Sequence, residues 1–397
     1  MNNKKKPNKI TRLVLIGDGI VYQCDDKYYV DGSAQTDLFS CFAGIEEIII
    51  WSRIYTVSPE QVKHLGMYDF KSLDKKISIV GIYNQKKGLK GYLFSVQERI
   101  EKLNQVFSTP ALVMCAPISL SQWIMWYLYK RNLIFIGRAI GDPEGIADSK
   151  MYGAKIASKI AIHVSKQYHE KCVLQTWVSK ELEMKYKAEH VPSIIFHDCL
   201  ISQSQISKEY KKRQHSELRL LFVGRLSPEK GIREILETMN ELKEYDIKLL
   251  FIGKGRMEKD IKEYVIKNHL CETIEMAGAK PWGEELFSYI EIADCLLLPS
   301  YNEGLAMVTL EAMAKGTPVI ASNVGGIPDV VHQDENGILI EPHRGDQLKE
   351  AILKIYYDEE YRQRLCQGAL KTIQENTREK QLEKFKEAYM KYVYPKL

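Results

Sequence analysis

Short runs of aliphatic and β-branched residues recur along the chain, and between most of them apolar positions return every three or four residues. The runs are expected to be strands and the intervening stretches helices. In the first half the strand candidates are 13–16, 47–51, 77–80, 111–114, 133–136 and 173–176. In the second half they are 218–223, 248–252, 274–276, 295–298, 319–322 and 338–340, with a helical pattern between consecutive members. Strands alternating with helices are the sequence form of a parallel sheet covered on both faces. A polar segment at 202–216, SQSQISKEYKKRQHS, breaks the alternation and is expected to be the linker.

The pattern predicts an α/β protein with two Rossmann-like, doubly wound parallel-sheet domains, 1–205 and 215–379, facing each other across a cleft at the carboxyl ends of their strands. Beyond the last strand, 380–397 reads as a charged helix with Phe385, Tyr389 and Tyr392 as apolar spots, expected to pack back on the first domain.

Length agrees with this division, because 397 residues exceed one typical core and suit two. Eight cysteines stand singly, with no Cys-x-x-Cys pair, and are expected to be reduced and mostly buried. The basic start, Lys4 to Lys6, is followed by too short an apolar run for a signal peptide, and no run reaches the length of a membrane span. A cytoplasmic location follows.

A net charge of +4, without a nucleic-acid module signature, excludes nucleic acid as a partner. The charge is uneven: residues 1–200 sum to +7 and the remainder to −3. A basic first half suits an anionic acceptor or an anionic membrane edge, or is simply a solvated surface. Residues 122–131, QWIMWYLYKR, mix aromatic, apolar and basic side chains as interfacial helices do. They offer peripheral contact with the inner face of a membrane, against the alternative of a core helix.

Two constellations carry chemistry. The first, Gly224-Arg225-Leu226-Ser227-Pro228-Glu229-Lys230-Gly231, follows a strand directly and opens onto a helix. A guanidinium and an ammonium beside a helix start make a site for a multiply charged phosphate, since dipole, amides and cations act together. An ordinary βα turn with solvated cations is the competing explanation. The second runs from Glu303 to Glu311 into a helix. Eight residues exceed two helical turns, so Glu303 is expected on the preceding loop. The amides of Ala306, Met307 and Val308 at the helix start can accept phosphate oxygens. Glu311 lies within the apolar run Leu310 to Ala314, where a carboxylate needs a partner or a task.

GRLSPEKG at 224–231 and PSYNEGLAMVTLEAMAKGTPVIASNVGGIPDVV at 299–331 resemble the donor-binding half of the retaining family-four glycosyltransferases of the GT-B fold. The resemblance spans roughly 217–345. It implies that Arg225 and Lys230 hold a donor diphosphate, that Glu303 contacts the donor sugar and that Glu311 binds the ribose. Gly224 closes the strand before the cations, and Gly253 and Gly278 would border the base. Gly325-Gly326 would form a tight turn near the site.

The first half matches that family less well. Asp31-Gly32 stands where the family usually shows a glycine pair, so Gly32 is the candidate for approach to the phosphates. Asp18, placed after the first strand, is expected to face the same cleft. Met114-Cys115-Ala116-Pro117 replaces a usual histidine. Arg138, Asp142 and Glu144, in GRAIGDPEG, are the acceptor-side candidates, with a surface loop as the alternative.

The resemblance implies transfer, with retention, of a sugar from a UDP- or GDP-type nucleotide sugar to a saccharide or lipid-linked saccharide acceptor, as in polysaccharide biosynthesis. No cofactor is expected beyond that co-substrate. No metal is expected either: Asp-x-Asp is absent from the sequence, and His163, His169 and Cys172 lack zinc-ligand spacing. Two alternatives are a GT-B-fold epimerase acting on the nucleotide sugar and a catalytically silent nucleotide-sugar-binding module. An NAD enzyme is disfavoured because Tyr22 stands where the third glycine after Gly17-Asp18-Gly19 would be.

Overall fold

β-branched and aliphatic side chains bury both faces of a parallel sheet, which is why the strands read as continuous apolar runs. In the computed structural model, residues 9–30, 37–60, 66–67, 74–83, 100–115, 133–144, 154–210 and 216–397 are described. The chain divides into unit 1, Met1–Phe196 with Leu382–Leu397, and unit 2, His197–Gln381. The polar segment expected as the linker starts inside unit 2. There the Ser207 amide bonds the Ala314 carbonyl at 2.8 Å, and Lys315 Nζ bonds the Gln205 carbonyl at 2.8 Å.

In unit 1 seven strands run parallel in the order β5 (Lys76–Tyr83), β3 (Glu47–Thr56), β1 (Arg12–Cys24), β6 (Leu112–Cys115), β7 (Ile134–Ala139), β8 (Leu174–Trp177) and β9 (Ser193–Ile195). Two further strands, β2 (Lys27–Val30) and β4 (Gly66–Met67), join antiparallel. This departs from the purely parallel sheet expected. The cause is the length of β1. Its first part pairs with β3 and β6, and its second part, from Ile20, keeps β3 and gains β2 through a hairpin at Asp25, whose φ is 50°.

Asp18 therefore lies within β1, not after it, in the break of register between Ile16 and Ile20. Its side chain lies outside the described residues, as do Gly32, residues 116–117 and the aromatic stretch 122–131. Two helices, α1 (Ala154–Lys171) and α2 (Lys180–Tyr186), flank β8.

Unit 2 is regular. Strands β10 (Leu218–Val223), β11 (Ile247–Ile252), β12 (Ile274–Gly278), β13 (Cys295–Leu298), β14 (Val319–Ser322) and β15 (Gly337–Ile340) form one parallel sheet in the order β12-β11-β10-β13-β14-β15. Between them lie α3 (Ile232–Glu241), α4 (Glu258–Lys267), α5 (Glu284–Ile292) and α6 (Met307–Ala314), followed by α7 (Gly345–Tyr357) and α8 (Glu359–Gln374). One core layer joins Leu218, Leu220 and Phe222 to Ile235, Met239, Ile261 and Ile352. Counted from β10, the order is that of nucleotide-binding sheets, in which the chain reverses direction between the first and fourth strands and opens a crevice at their carboxyl ends. Here that crevice lies where β10 and β13 end.

The last helix, α9 (Arg378–Tyr392), begins in unit 2 and ends in unit 1. In unit 1, Phe385, Ala388, Tyr389 and Val393 enter the core with Leu13, Phe42 and Ile48. Phe42 meets Phe385 and Tyr389 edge to face, at 5.4 and 5.3 Å between ring centres, and Tyr389 Oη bonds the Ala43 carbonyl at 2.7 Å. All eight cysteines are free thiols, and only Cys271 is exposed. No helix among the described residues is long and apolar enough to cross a membrane.

Phe385 is fully buried, so Phe385→Ala is expected to destabilise unit 1 by about 3–5 kcal/mol through lost burial and the cavity left behind. Urea unfolding followed by tryptophan fluorescence measures this.

Candidate active site at the carboxyl edge of unit 2

The loop after β10 turns sharply. Pro228–Lys230 form one 3-10 turn behind an extended Ser227, and Gly231 closes it in the left-handed region at φ 67°. A Cβ at Gly231 would stand 1.9 Å from the Pro299 carbonyl oxygen, so only glycine lets the turn lie against the segment leaving β13. The Tyr301 amide then bonds the Glu229 carbonyl at 2.9 Å. Sequence places Lys230 and Glu303 seventy-three residues apart, and these contacts bring them together.

Lys230 Nζ forms an ion pair with Glu303 Oε1, with side-chain exposures of 17% and 9%. The same carboxylate oxygen accepts from Ser300 Oγ at 2.8 Å. Glu303 lies on the loop between β13 and α6, where the eight-residue spacing to Glu311 puts it. Its backbone is pinned from the other side by Gly325, at φ 56°, where a Cβ would stand 1.7 Å from the Glu303 carbonyl oxygen. The Gly326 amide bonds the Gly304 carbonyl at 2.6 Å.

Arg225 is exposed on the same loop as Lys230. Its guanidinium lies near Glu229. Burial pushes the Glu229 carboxyl up, but the Ser227 hydroxyl at 2.6 Å, its own amide and the charges of Arg225 and Arg256 together hold it below the usual range. The loops after β10, β11 and β12 are stitched in turn: Gly224 N to Ile252 O at 3.0 Å, Leu226 N to Lys254 O at 2.9 Å and Gly253 N to Gly278 O at 2.9 Å. Gly224, Gly253 and Gly278 therefore share one edge with the two cations.

Helix α6 starts after Ala306, which offers no side-chain cap, so the first-turn amides of Met307 and Val308 lack intrahelical carbonyl partners. One helical turn further, Glu311 is buried at 5% exposure. Its Oε1 accepts from Trp282 Nε1 at 2.9 Å. Burial pushes this carboxyl up to about 7, and the indole hydrogen bond opposes the rise.

In unit 1 the acceptor-side candidates have other ties. Asp142 accepts from Lys185 Nζ at 2.8 Å, from Tyr186 Oη at 2.6 Å and from the Glu144 amide at 2.8 Å. Burial would raise its pKa, yet these three donors hold it below the ordinary range. Asp142 is a strut between the loop after β7 and α2. Arg138 lies over the Phe196 ring at 5.7 Å.

Residues 203–372 match the family described as glycosyl transferases group 1. The matched residues lie in unit 2. Over 159 residues it is 34% identical to an uncharacterized glycosyltransferase of Methanocaldococcus jannaschii, covering 40% of this chain and 42% of the relative. Over 157 residues it is 32% identical to the D-inositol 3-phosphate glycosyltransferase of Corynebacterium efficiens, covering 38% and 37%. The matched part thus spans about two-fifths of these relatives' own length.

Solved structures extend the likeness in fold across both units. Sucrose-phosphate synthase from Thermosynechococcus elongatus superposes with a TM-score of 0.71 at 18% identity, over 96% of this chain and 98% of that one. The Anabaena protein HepE, in complex with UDP and glucose, superposes with a TM-score of 0.66 at 12% identity, over 95% and 99%. The fold is GT-B.

Three features of this edge are not legible in the sequence: Ser300, Gly231 as a contact to Pro299, and Trp282. The demand of a buried Glu311 for a donor was the available signal for Trp282, but the two are 29 residues apart and no local spacing joins them.

Because the native pKa of Glu311 exceeds its value in the unfolded chain, the folded state binds the extra proton between about pH 4.5 and 7 and loses stability as pH rises through that window. Glu311→Gln removes this loss. Its stability relative to wild type is expected to improve by on the order of 2–3 kcal/mol between pH 4.5 and 8, checked by urea unfolding at both pH values.

Proposed function

We propose that the chain transfers a sugar, with retention of anomeric configuration and without a metal ion, from a nucleotide sugar of the UDP or GDP type to a saccharide or lipid-linked saccharide acceptor. The observation that carries this is the convergence of Lys230, Glu303, Arg225 and the α6 amides on one sheet edge in a group 1 glycosyl transferase unit. That HepE was solved with UDP and glucose is consistent with it. The acceptor is assigned to unit 1, with Asp18 and Arg138 as candidates, and Gly32 is the candidate there for approach to the donor phosphates. Asp142 acts by holding its loop.

In the reaction the bond from the anomeric carbon to the diphosphate oxygen breaks, and its electron pair goes to the diphosphate. Negative charge grows there while positive charge grows on the sugar. Arg225, Lys230 and the amides of Ala306, Met307 and Val308 stabilise the first. The Glu303 carboxylate receives sugar hydroxyls, and Glu311 receives ribose hydroxyls. The acceptor oxygen attacks the face the diphosphate leaves and gives its proton to a phosphate oxygen, so no side-chain nucleophile is needed.

The Lys230 ammonium is neutralised by Glu303. A bound diphosphate competes for the same ammonium, which frees Glu303 to turn its lone pairs to the sugar. Protein cations thereby do the work that a divalent metal does in other transferases.

Arg225→Ala and Lys230→Ala are each expected to lower turnover by about a hundred- to thousand-fold, the usual consequence of removing one preorganised donor from a developing charge. Far-ultraviolet circular dichroism is expected to show both folded. Lys230→Ala melts somewhat lower because Glu303 keeps only Ser300. Rates equal to wild type in both variants exclude the assignment. Transfer is expected to persist in excess EDTA, and loss of activity restored by Mg2+ or Mn2+ would refute metal independence.

A further inference from the structure

The buried carboxylate of Glu311 accepts a hydrogen bond from another loop. Trp282 stands in the segment Gly278–Gly283 between β12 and α5, and its indole Nε1 reaches Glu311 Oε1 at 2.9 Å. One ring contact and one loop tie fix the indole's surroundings. Its ring meets Phe287 edge to face at 5.3 Å, and Phe287 is itself fully buried in α5. The loop is further tied to α5 by Lys280, which pairs with Glu285 at 3.0 Å and lies over Tyr289 at 5.2 Å. Trp282 remains half-exposed, so the indole is anchored at one edge and open at the other.

We propose that Trp282 is the positioning residue for Glu311: its N–H occupies Oε1, leaving Oε2 as the acceptor presented to a nucleoside ribose. The proposal deepens the donor site described above and rests on it. A carboxylate has two oxygens and about four lone-pair sites, and a ribose needs them in a fixed direction. An indole N–H donates once and accepts nothing, so it orients the carboxylate without competing for the ribose hydroxyls.

The charge state matters as well. Only the ionised carboxylate accepts from both ribose hydroxyls, and burial disfavours that form while the indole N–H favours it. Among the described residues, the buried Cys199 thiol also feels this carboxylate; burial pushes it up to about 12, so it is neutral throughout the working range. With a neutral thiol beside it, the Trp282 N–H favours the charged form of Glu311 against its burial.

The test is calorimetric binding of UDP and of GDP between pH 6 and 9 to the full chain, in wild type, Trp282→Phe, Glu311→Gln and the double variant. One of the two nucleotides is expected to bind wild type, with affinity falling as pH drops through about 7. Trp282→Phe keeps the ring and removes the donor. It is expected to bind about tenfold more weakly at pH 7.5 and to move the acid-side break up by about one pH unit. Added to Glu311→Gln, the Phe substitution is expected to cost little more, because both remove one contact.

An unchanged break in Trp282→Phe, or full additivity with Glu311→Gln, overturns the positioning role while leaving the ribose site standing. If Glu311→Gln instead binds as wild type does, or if neither nucleotide binds wild type, the donor-site assignment itself falls and takes this one with it. A second measurement on folded wild type is independent of the Phe variant. One indole 15N–H resonance is expected to titrate near pH 7 and to stop titrating in Glu311→Gln; absence of any such resonance overturns the proposal.

Discussion

A cation and an anion, each mostly withdrawn from water, meet where the loops after β10 and β13 touch, and the carboxyl edge of unit 2 is organised around that meeting. Taking both charges out of water costs more than their attraction returns unless geometry is good and remaining lone pairs are used. Ser300 supplies the added hydrogen bond. Gly231 and Gly325 supply the geometry, since each lets backbone approach backbone where any side chain would collide. An ion pair that is expensive to bury is a weak source of stability.

The sheet order explains why this pair can exist at all. Adjacent parallel strands whose connections leave in opposite directions open a crevice at their carboxyl ends, and β10 and β13 are that pair. Lys230 leaves the first, and Glu303 leaves the second. Helix α6 then starts uncapped at the same edge and carries Glu311 one turn inside. Lys230, Glu303 and the start of α6 therefore lie along a single edge of one unit.

Legibility in the sequence follows burial. Strands β10, β13 and β14 coincide with the predicted runs because they are short and nearly all buried, so composition and length both mark them. β1 was read as four residues and extends to thirteen. Its second half is stabilised by pairing with β2 and β3, a tertiary property that local pattern does not contain. β9, three half-buried residues, carried too little signal. At the edge, Arg225, Lys230 and Glu303 are legible as charged residues on the loops that follow strands, and Glu311 as a carboxylate inside an apolar run. Asp142 looked like a solvent-facing loop acid, yet it is tied to Lys185 and Tyr186 more than forty positions away.

Unit 1 is discontinuous, and this sets an order of events during synthesis. Its core needs Phe385, Tyr389 and Val393, which meet Phe42 and Leu13 across more than three hundred residues. A ribosome delivers those side chains after all of unit 2, so unit 1 completes its core only once the contiguous unit 2 has emerged. The usual vectorial sequence, in which the leading domain folds first, is inverted here. Until then, the apolar surface around Phe42 waits uncovered for its distant partner.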